Sequence, residues 1–183
     1  MGVDGALVLE GPLPVVFRPI DGEVLAADPT RLATNLRMFQ ASELLDDRQA
    51  ADRSETDSPV MAELKRLDLK MSLLMELLAD MAGRAEHHAQ QYDVALDFRG
   101  LTWSPVPAGL AVGQRGSLAV YIHPALPRPL TFIGTVTALD AVRGEARFDF
   151  DTLDDPEADQ LERLIFRSHR RKVADVRGLK RKF

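Results

Sequence analysis

The sequence predicts a mainly β fold with an α insertion: a six-stranded antiparallel β-barrel, a long helix inserted after the first strand, and a helix at the C-terminal end. Three observations predict it. Runs rich in β-branched and aromatic residues, separated by Pro/Gly turns, fill the chain from Tyr92 to Leu153. A matching run, Leu13 to Pro19, stands alone near the N-terminus. Between them, from residue 20 to residue 91, apolar side chains recur at helical spacing.

The first run, LPVVFRP, has β-branched residues at its centre and prolines that confine it. Asp28-Pro29 then opens a helix. The Asp side chain caps free backbone amides, Pro suits the first turn, and Leu32, Leu36 and Phe39 follow at helical spacing up to about Gln49. Residues 50–57 are polar and acidic and read as a linker. Ser58-Pro59 repeats the cap-and-proline signal and opens a second helix reaching about Glu86, roughly 40 Å long at 1.5 Å per residue.

YDVALDFRGLTWS, GSLAVYIH, LTFIGTVTALD and EARFDFDTL follow as strands, with a sixth strand hidden in one long run. Asp155-Pro156 opens the last helix, on which Leu161, Leu164 and Ile165 share a face. The expected division is residues 1–19 with 92–183 as the barrel and its helix, about 110 residues, a length at which a single core is viable. Residues 20–91 form an inserted helical oligomerisation segment.

Composition narrows the chemistry. Apolar residues at 45% and charged residues at 28% fit a folded globular chain rather than a disordered one. There is no cysteine, which excludes disulfides, Cys-based zinc sites and thiol nucleophiles. No Lys or Arg precedes Arg18, so the N-terminus lacks the basic stretch of a secretory signal, and a cytoplasmic protein is expected. The net charge of −5 conceals a division: Arg163 to Phe183 carries nine Lys/Arg against one acid, Asp175, so the other residues sum to −13.

GxGxxG, Walker A, GxSxG and HExxH motifs are absent and no catalytic triad is readable, so no enzyme and no cofactor are expected. His87 and His88 diverge by about 100° on a helix, and His123 and His169 stand alone, so no metal site is expected. Asp149, Asp151, Asp154 and Asp155 only loosely resemble a calcium loop, because Asp154 and Gln160 occupy the places of its glycine and its glutamate. A strand end and a helix N-terminus, where acids favour the dipole, account for them.

The stretch VMAELKRLDLKMSLLMELLADM carries the sharpest pattern. Glu63, Lys65, Arg66, Asp68, Lys70, Glu76 and Asp80 exclude a membrane span, since each charge costs about 2.5–3.5 kcal/mol at mid-membrane for most types. Leu64, Met71, Leu78 and Ala85 fall at heptad a, and Val60, Leu67, Leu74 and Met81 at d, in unbroken alternation. A straight helix drifts about 20° per heptad against such a seam, so a partner helix is expected. Met61 and Met75 at e and Leu77 at g widen the stripe beyond the needs of a two-stranded coil, which favours three or four helices around it rather than two. The competing expectation is pairing within the chain, against the helix from Pro29 to Gln49.

Leu13 to Pro19, the segments VALDFRGLTWSPVPAGLAVGQRGSLAVYIHPALP and TFIGTVTALDAVRGEARFDF, and the helix beginning DPEADQLERLIF together resemble the PilZ family. That family consists of six-stranded barrels with a C-terminal helix, receptors or adaptors in bacterial cyclic di-GMP signalling. With the heptad helix added, the chain is most similar to an atypical, tetrameric PilZ subtype of plant-pathogenic bacteria. The resemblance implies a non-enzymatic adaptor in motility, pilus or virulence control, with other signalling proteins as partners.

The family's ligand motif, [D/N]-x-S-x-x-G, aligns with Ala95-Leu96-Asp97-Phe98-Arg99-Gly100. Gly100 matches, Ala95 stands in place of Asp/Asn, and Asp97 replaces the serine. The family's R-x-x-x-R segment before the first strand has no counterpart, because residues 1–14 hold no Arg or Lys. The same spacing at Arg163/Arg167, Arg167/Arg171 and Arg177/Arg181 lies on or after the last helix and reads as helix-face spacing. Without a cationic clamp, and with the Asp97 carboxylate expected to repel a ligand carrying two phosphates, ordinary cyclic di-GMP binding is not expected.

Two alternatives stay open. One is a genuine cyclic di-GMP receptor using a non-standard set drawn from Arg99, Arg18 and the arginines Arg163, Arg167, Arg170 and Arg171. The other is nucleic-acid binding by the basic tail, whose Phe166 and Phe183 are few for base stacking. Docking of that tail on acidic protein surface is the simpler expectation.

Overall fold

The structure, a computed structural model, describes residues 7–20, 28–51, 64, 66, 67, 70, 71, 74, 90–126 and 128–180. Six strands close into a barrel: β1 (Leu9–Pro19), β2 (Gln90–Leu96), β3 (Gly100–Ser104), β4 (Arg115–Val120), β5 (Leu130–Asp140) and β6 (Glu145–Phe150). Their order around the barrel is β1-β2-β3-β6-β5-β4, and every neighbouring pair is antiparallel. Two helices pack against it, α1 (Pro29–Ala51) and α2 (Asp155–Lys180).

Period-two alternation builds the core. Tyr92, Val94 and Leu96 of β2, Leu101 and Trp103 of β3, Leu118 and Val120 of β4, and Ala146 and Phe148 of β6 are all buried, while their strand neighbours face outward. Each large side chain so buried stabilises the fold by about 1.5–3 kcal/mol relative to exposure.

β1 starts at Leu9, four residues before the expected Leu13. Gly11 and Pro12 look like turn residues, yet Leu9 is buried opposite Leu96 and the pairing runs through both. The first half of β1 pairs with β2 only and its last residues with β4 only. Pro12 therefore sits where one side of the strand needs no ladder bond, which is where a strand tolerates proline. The sixth strand comes from the run YDVALDFRGLTWS, which breaks at Asp97–Arg99 into β2 and β3.

Asp28 caps α1 as expected, its Oδ1 accepting the Thr30 amide at 2.8 Å. For α2 the cap lies one residue earlier than expected: the Asp154 carbonyl accepts the Ala158 amide at 2.9 Å, so Asp155 is the first helical residue. Leu161, Leu164 and Ile165 are buried on the barrel core. Arg31 of α1 meets Glu157 of α2, and Glu43 meets Arg167, so the two helices run side by side in the same direction. Phe39 of α1 is fully buried in the same core cluster.

Most of the expected helix from Pro59 to Glu86 lies outside the described residues, including Val60, Leu78, Met81 and Ala85. Leu64, Arg66, Leu67, Lys70, Met71 and Leu74 are described, and all six are helical. Four of them hold heptad positions and stay exposed: Leu64 by 53%, Leu67 by 49%, Met71 by 52% and Leu74 by 60%. The inward face of α1 is taken by α2 and β5. Among the described residues no helix is long and apolar enough to cross a membrane.

Candidate functional site

The β2–β3 turn carries the residues aligned with the ligand motif. Ala95 lies on the outward face of β2, opposite Glu10 of β1 and Thr102 of β3. The Asp97 amide donates to the Gly100 carbonyl at 3.0 Å, closing the turn. The Asp97 Oδ1 accepts the amides of Arg99 at 2.7 Å and Gly100 at 3.0 Å, the local bonding that makes Asp a turn former. Gly100 is required by close approach: a Cβ there would lie 2.1 Å from the Phe148 carbonyl oxygen of β6. Its match to the motif thus has a packing cause.

Arg147 of β6 reaches across β3 to this turn. Its Nη1 donates to Asp97 Oδ2 at 2.7 Å and its Nη2 to Asp97 Oδ1 at 3.1 Å, while Nε donates to Asp149 Oδ1 at 2.7 Å. Burial pushes the Asp97 carboxyl up, but the Arg147 hydrogen bond and the Arg99 and Gly100 amides outweigh it and hold the group below the usual carboxylate range. Burial likewise opposes the charge on Arg147, and its two carboxylate partners reverse that, leaving it more firmly protonated than an ordinary arginine. The carboxylate expected to repel phosphates is therefore neutralised in place.

Beside this pair, Arg115 donates to Asp151 at 2.5 Å. Arg99 lies over the Phe98 ring at 5.6 Å, and Phe98 is 54% exposed. The acids that loosely resembled a calcium loop are thus drawn to arginines at Asp149 and Asp151, and among the described residues no three His, Asp or Glu side chains form a metal-holding group.

The other arginines of the non-standard set lie elsewhere. Arg18 is on β1 opposite Ser117. Arg163, Arg167, Arg170 and Arg171 are on α2: Arg167 pairs with Glu43 of α1 at 2.7 Å, and the other three face outward. Lys172 brings α2 close to the motif strand by pairing with Glu10, the residue opposite Ala95. Of this set Arg99 alone belongs to the β2–β3 turn; the others come from β1 and α2.

The profile of a family described as atypical PilZ domain, cyclic di-GMP receptor, matches residues 39–178. The chain belongs to the atypical PilZ domain family. A solved PilZ structure agrees in fold: a pathogenic protein of Xanthomonas campestris, described as a tetrameric PilZ domain self-assembled through a helical bundle, superposes with a TM-score of 0.71. It is 23% identical to this chain and covers 94% of this chain and 93% of its own. No curated protein sequence matches.

Two features of this PilZ domain escape a reading of the sequence. Arg147 looks like an ordinary outward strand residue; only the β3–β6 register puts it within reach of Asp97. Glu157 looks like one of the acids that favour a helix N-terminus, yet it is fully buried. Arg31 grips it with both nitrogens at 2.7 and 3.2 Å, Asn35 donates to it at 2.5 Å, and Asn35 also exchanges hydrogen bonds with the Thr131 backbone of β5. A signal for this junction is present: Arg31 and Asn35 share a helix face with buried Phe39, and polar groups on such a face require a buried partner.

Proposed function

We propose that this PilZ domain is a non-enzymatic adaptor of cyclic di-GMP signalling that works as a self-associated particle and does not take cyclic di-GMP through its β2–β3 turn. The observation that carries the reading is the Asp97–Arg147 fork, which engages the aligned motif residue and its nearest cation with one another. Self-association through Val60, Leu64, Leu67, Met71, Leu74, Leu78, Met81 and Ala85, most simply as a tetramer, is supported by the half-exposed side chains at four of these positions. The Xanthomonas campestris protein, described as tetrameric through a helical bundle, offers a parallel.

In this reading residues 1–19 and 92–183 supply the barrel and its helix, and 20–91 the inserted segment that joins copies. Joined copies would multiply weak contacts with signalling partners through avidity. Two measurements test the reading together. Calorimetry with cyclic di-GMP is expected to give no binding in the low micromolar range, and light scattering at micromolar concentration is expected to give a multiple of the chain mass. Tight binding, or a monomer, overturns the corresponding half.

A further inference from the structure

Four donors converge on the Asp97 carboxylate: the amides of Arg99 and Gly100 and both Nη groups of Arg147. Adjacent backbone amides combined with a guanidinium fork are a donor set suited to phosphates as well as to carboxylates. We propose that the β2–β3 turn is an oxyanion cradle whose resident anion is the chain's own Asp97, and that Asp97 is the residue that closes it to tetrahedral oxyanions such as a phosphate monoester. The inference rests on the reading that this turn takes no cyclic di-GMP, and it assigns that refusal to occupancy rather than to repulsion.

Three features support it. The donors have supports besides the Asp97 side chain: Asp149 orients Arg147 through Nε, and the turn backbone is also held by the Asp97 amide to the Gly100 carbonyl and by the Phe150 amide to the Arg99 carbonyl at 2.8 Å. The pair lies near the surface, with side chains 22% and 24% exposed, so a solvent anion can reach it. Charge favours entry once Asp97 is gone. Asp97 and Asp149 against Arg147 and Arg99 sum to zero, and loss of Asp97 leaves a net of +1 beside the exposed Phe98.

The test is a titration with inorganic phosphate at constant ionic strength, followed through the amide NMR signals of Arg99 and Gly100. It compares the wild-type chain, Asp97→Ser, Asp97→Asn and the double variant Asp97→Ser with Arg147→Gln. Asp97→Ser is expected to bind phosphate at least about tenfold tighter than wild type, and the double variant to lose that gain. Asp97→Asn keeps an oxygen for the two turn amides and guards against a misfolded serine variant; it is expected to fall between wild type and Asp97→Ser. A folded variant that binds no better than wild type, or a gain that survives loss of Arg147, overturns the inference. Cyclic di-GMP binding by the wild-type chain would instead sink the functional reading, whereas phosphate-silent variants of a chain that still refuses cyclic di-GMP sink the cradle alone.

Discussion

Arg147 holds Asp97 through both ends of its guanidinium, at 2.7 and 3.1 Å, across the strand that separates them. The fork ties β6 to the β2–β3 turn and gives the turn a carboxylate that is already satisfied. Because the partners are partly exposed, the pair contributes little to stability beyond about 1–2 kcal/mol. Its larger effect is on what the turn can bind.

The pH dependence of stability follows from the same pair. A carboxyl held below its ordinary value contributes stability that is complete above the unfolded pKa, about 4, and is lost as pH falls through the lower folded value. Asp97→Asn is therefore expected to cost about 1–2 kcal/mol near pH 7, with the gap from wild type narrowing as pH falls below about 4 and through the lowered folded value. Asp140, lowered by the Arg143 and Val142 amides, keeps an acid-side slope in both proteins. Urea unfolding across this range checks it, and a constant gap contradicts it.

Gly100→Ala isolates the packing role of the one matching motif residue. The added methyl meets main chain, 2.1 Å from the Phe148 carbonyl oxygen, so β3 and β6 must separate. Overpacking of this kind costs about 1–3 kcal/mol or more. Denaturant midpoints are expected to fall accordingly, and a neutral effect would show that the strands give way easily.

Much of this fold was legible because its signals are local. Asp28 and Pro29 announce α1 by capping chemistry that needs no tertiary context, and the spacing of Leu161, Leu164 and Ile165 identifies the buried face of α2. The start of β1 was not legible, since Gly11 and Pro12 are tolerated only where the strand has one neighbour, a property of the closed barrel. The candidate site was half legible. Asp97 and Gly100 could be aligned, but Arg147 lies fifty residues away and reaches them only through the β3–β6 register.

The junction of Glu157 with Arg31 and Asn35 is expected to be the most sensitive polar site in the described chain. Glu157→Ala removes the carboxylate from a guanidinium whose side chain is only 9% exposed and leaves it the Thr131 carbonyl at 3.1 Å, and breaking a buried pair costs about 3–5 kcal/mol. Arg31→Met with Glu157→Leu removes both charges and is expected to cost less than the sum of Arg31→Ala and Glu157→Ala. Chemical denaturation of the three variants beside the wild type measures the coupling. Additive losses would mean that the two side chains do not act as a pair.

Leu67 and Leu74 separate assembly from folding. Both hold heptad d positions, and they are 49% and 60% exposed within the single chain, so charging them removes little buried surface from the chain's own core. In a seam between copies, however, each side chain would be buried, a charge there would be desolvated against its symmetry mates, and roughly 1.5–3 kcal/mol of burial per leucine would be lost in every copy. Leu67→Asp with Leu74→Asp is therefore expected to reduce the native mass to that of one chain while leaving the near-UV dichroism of Trp103 at the wild-type value, since Trp103 is buried in the barrel. A variant that keeps the wild-type mass removes the seam. Loss of the Trp103 signal together with mass would mean that the barrel cannot fold without its neighbours, and the two processes would then be one.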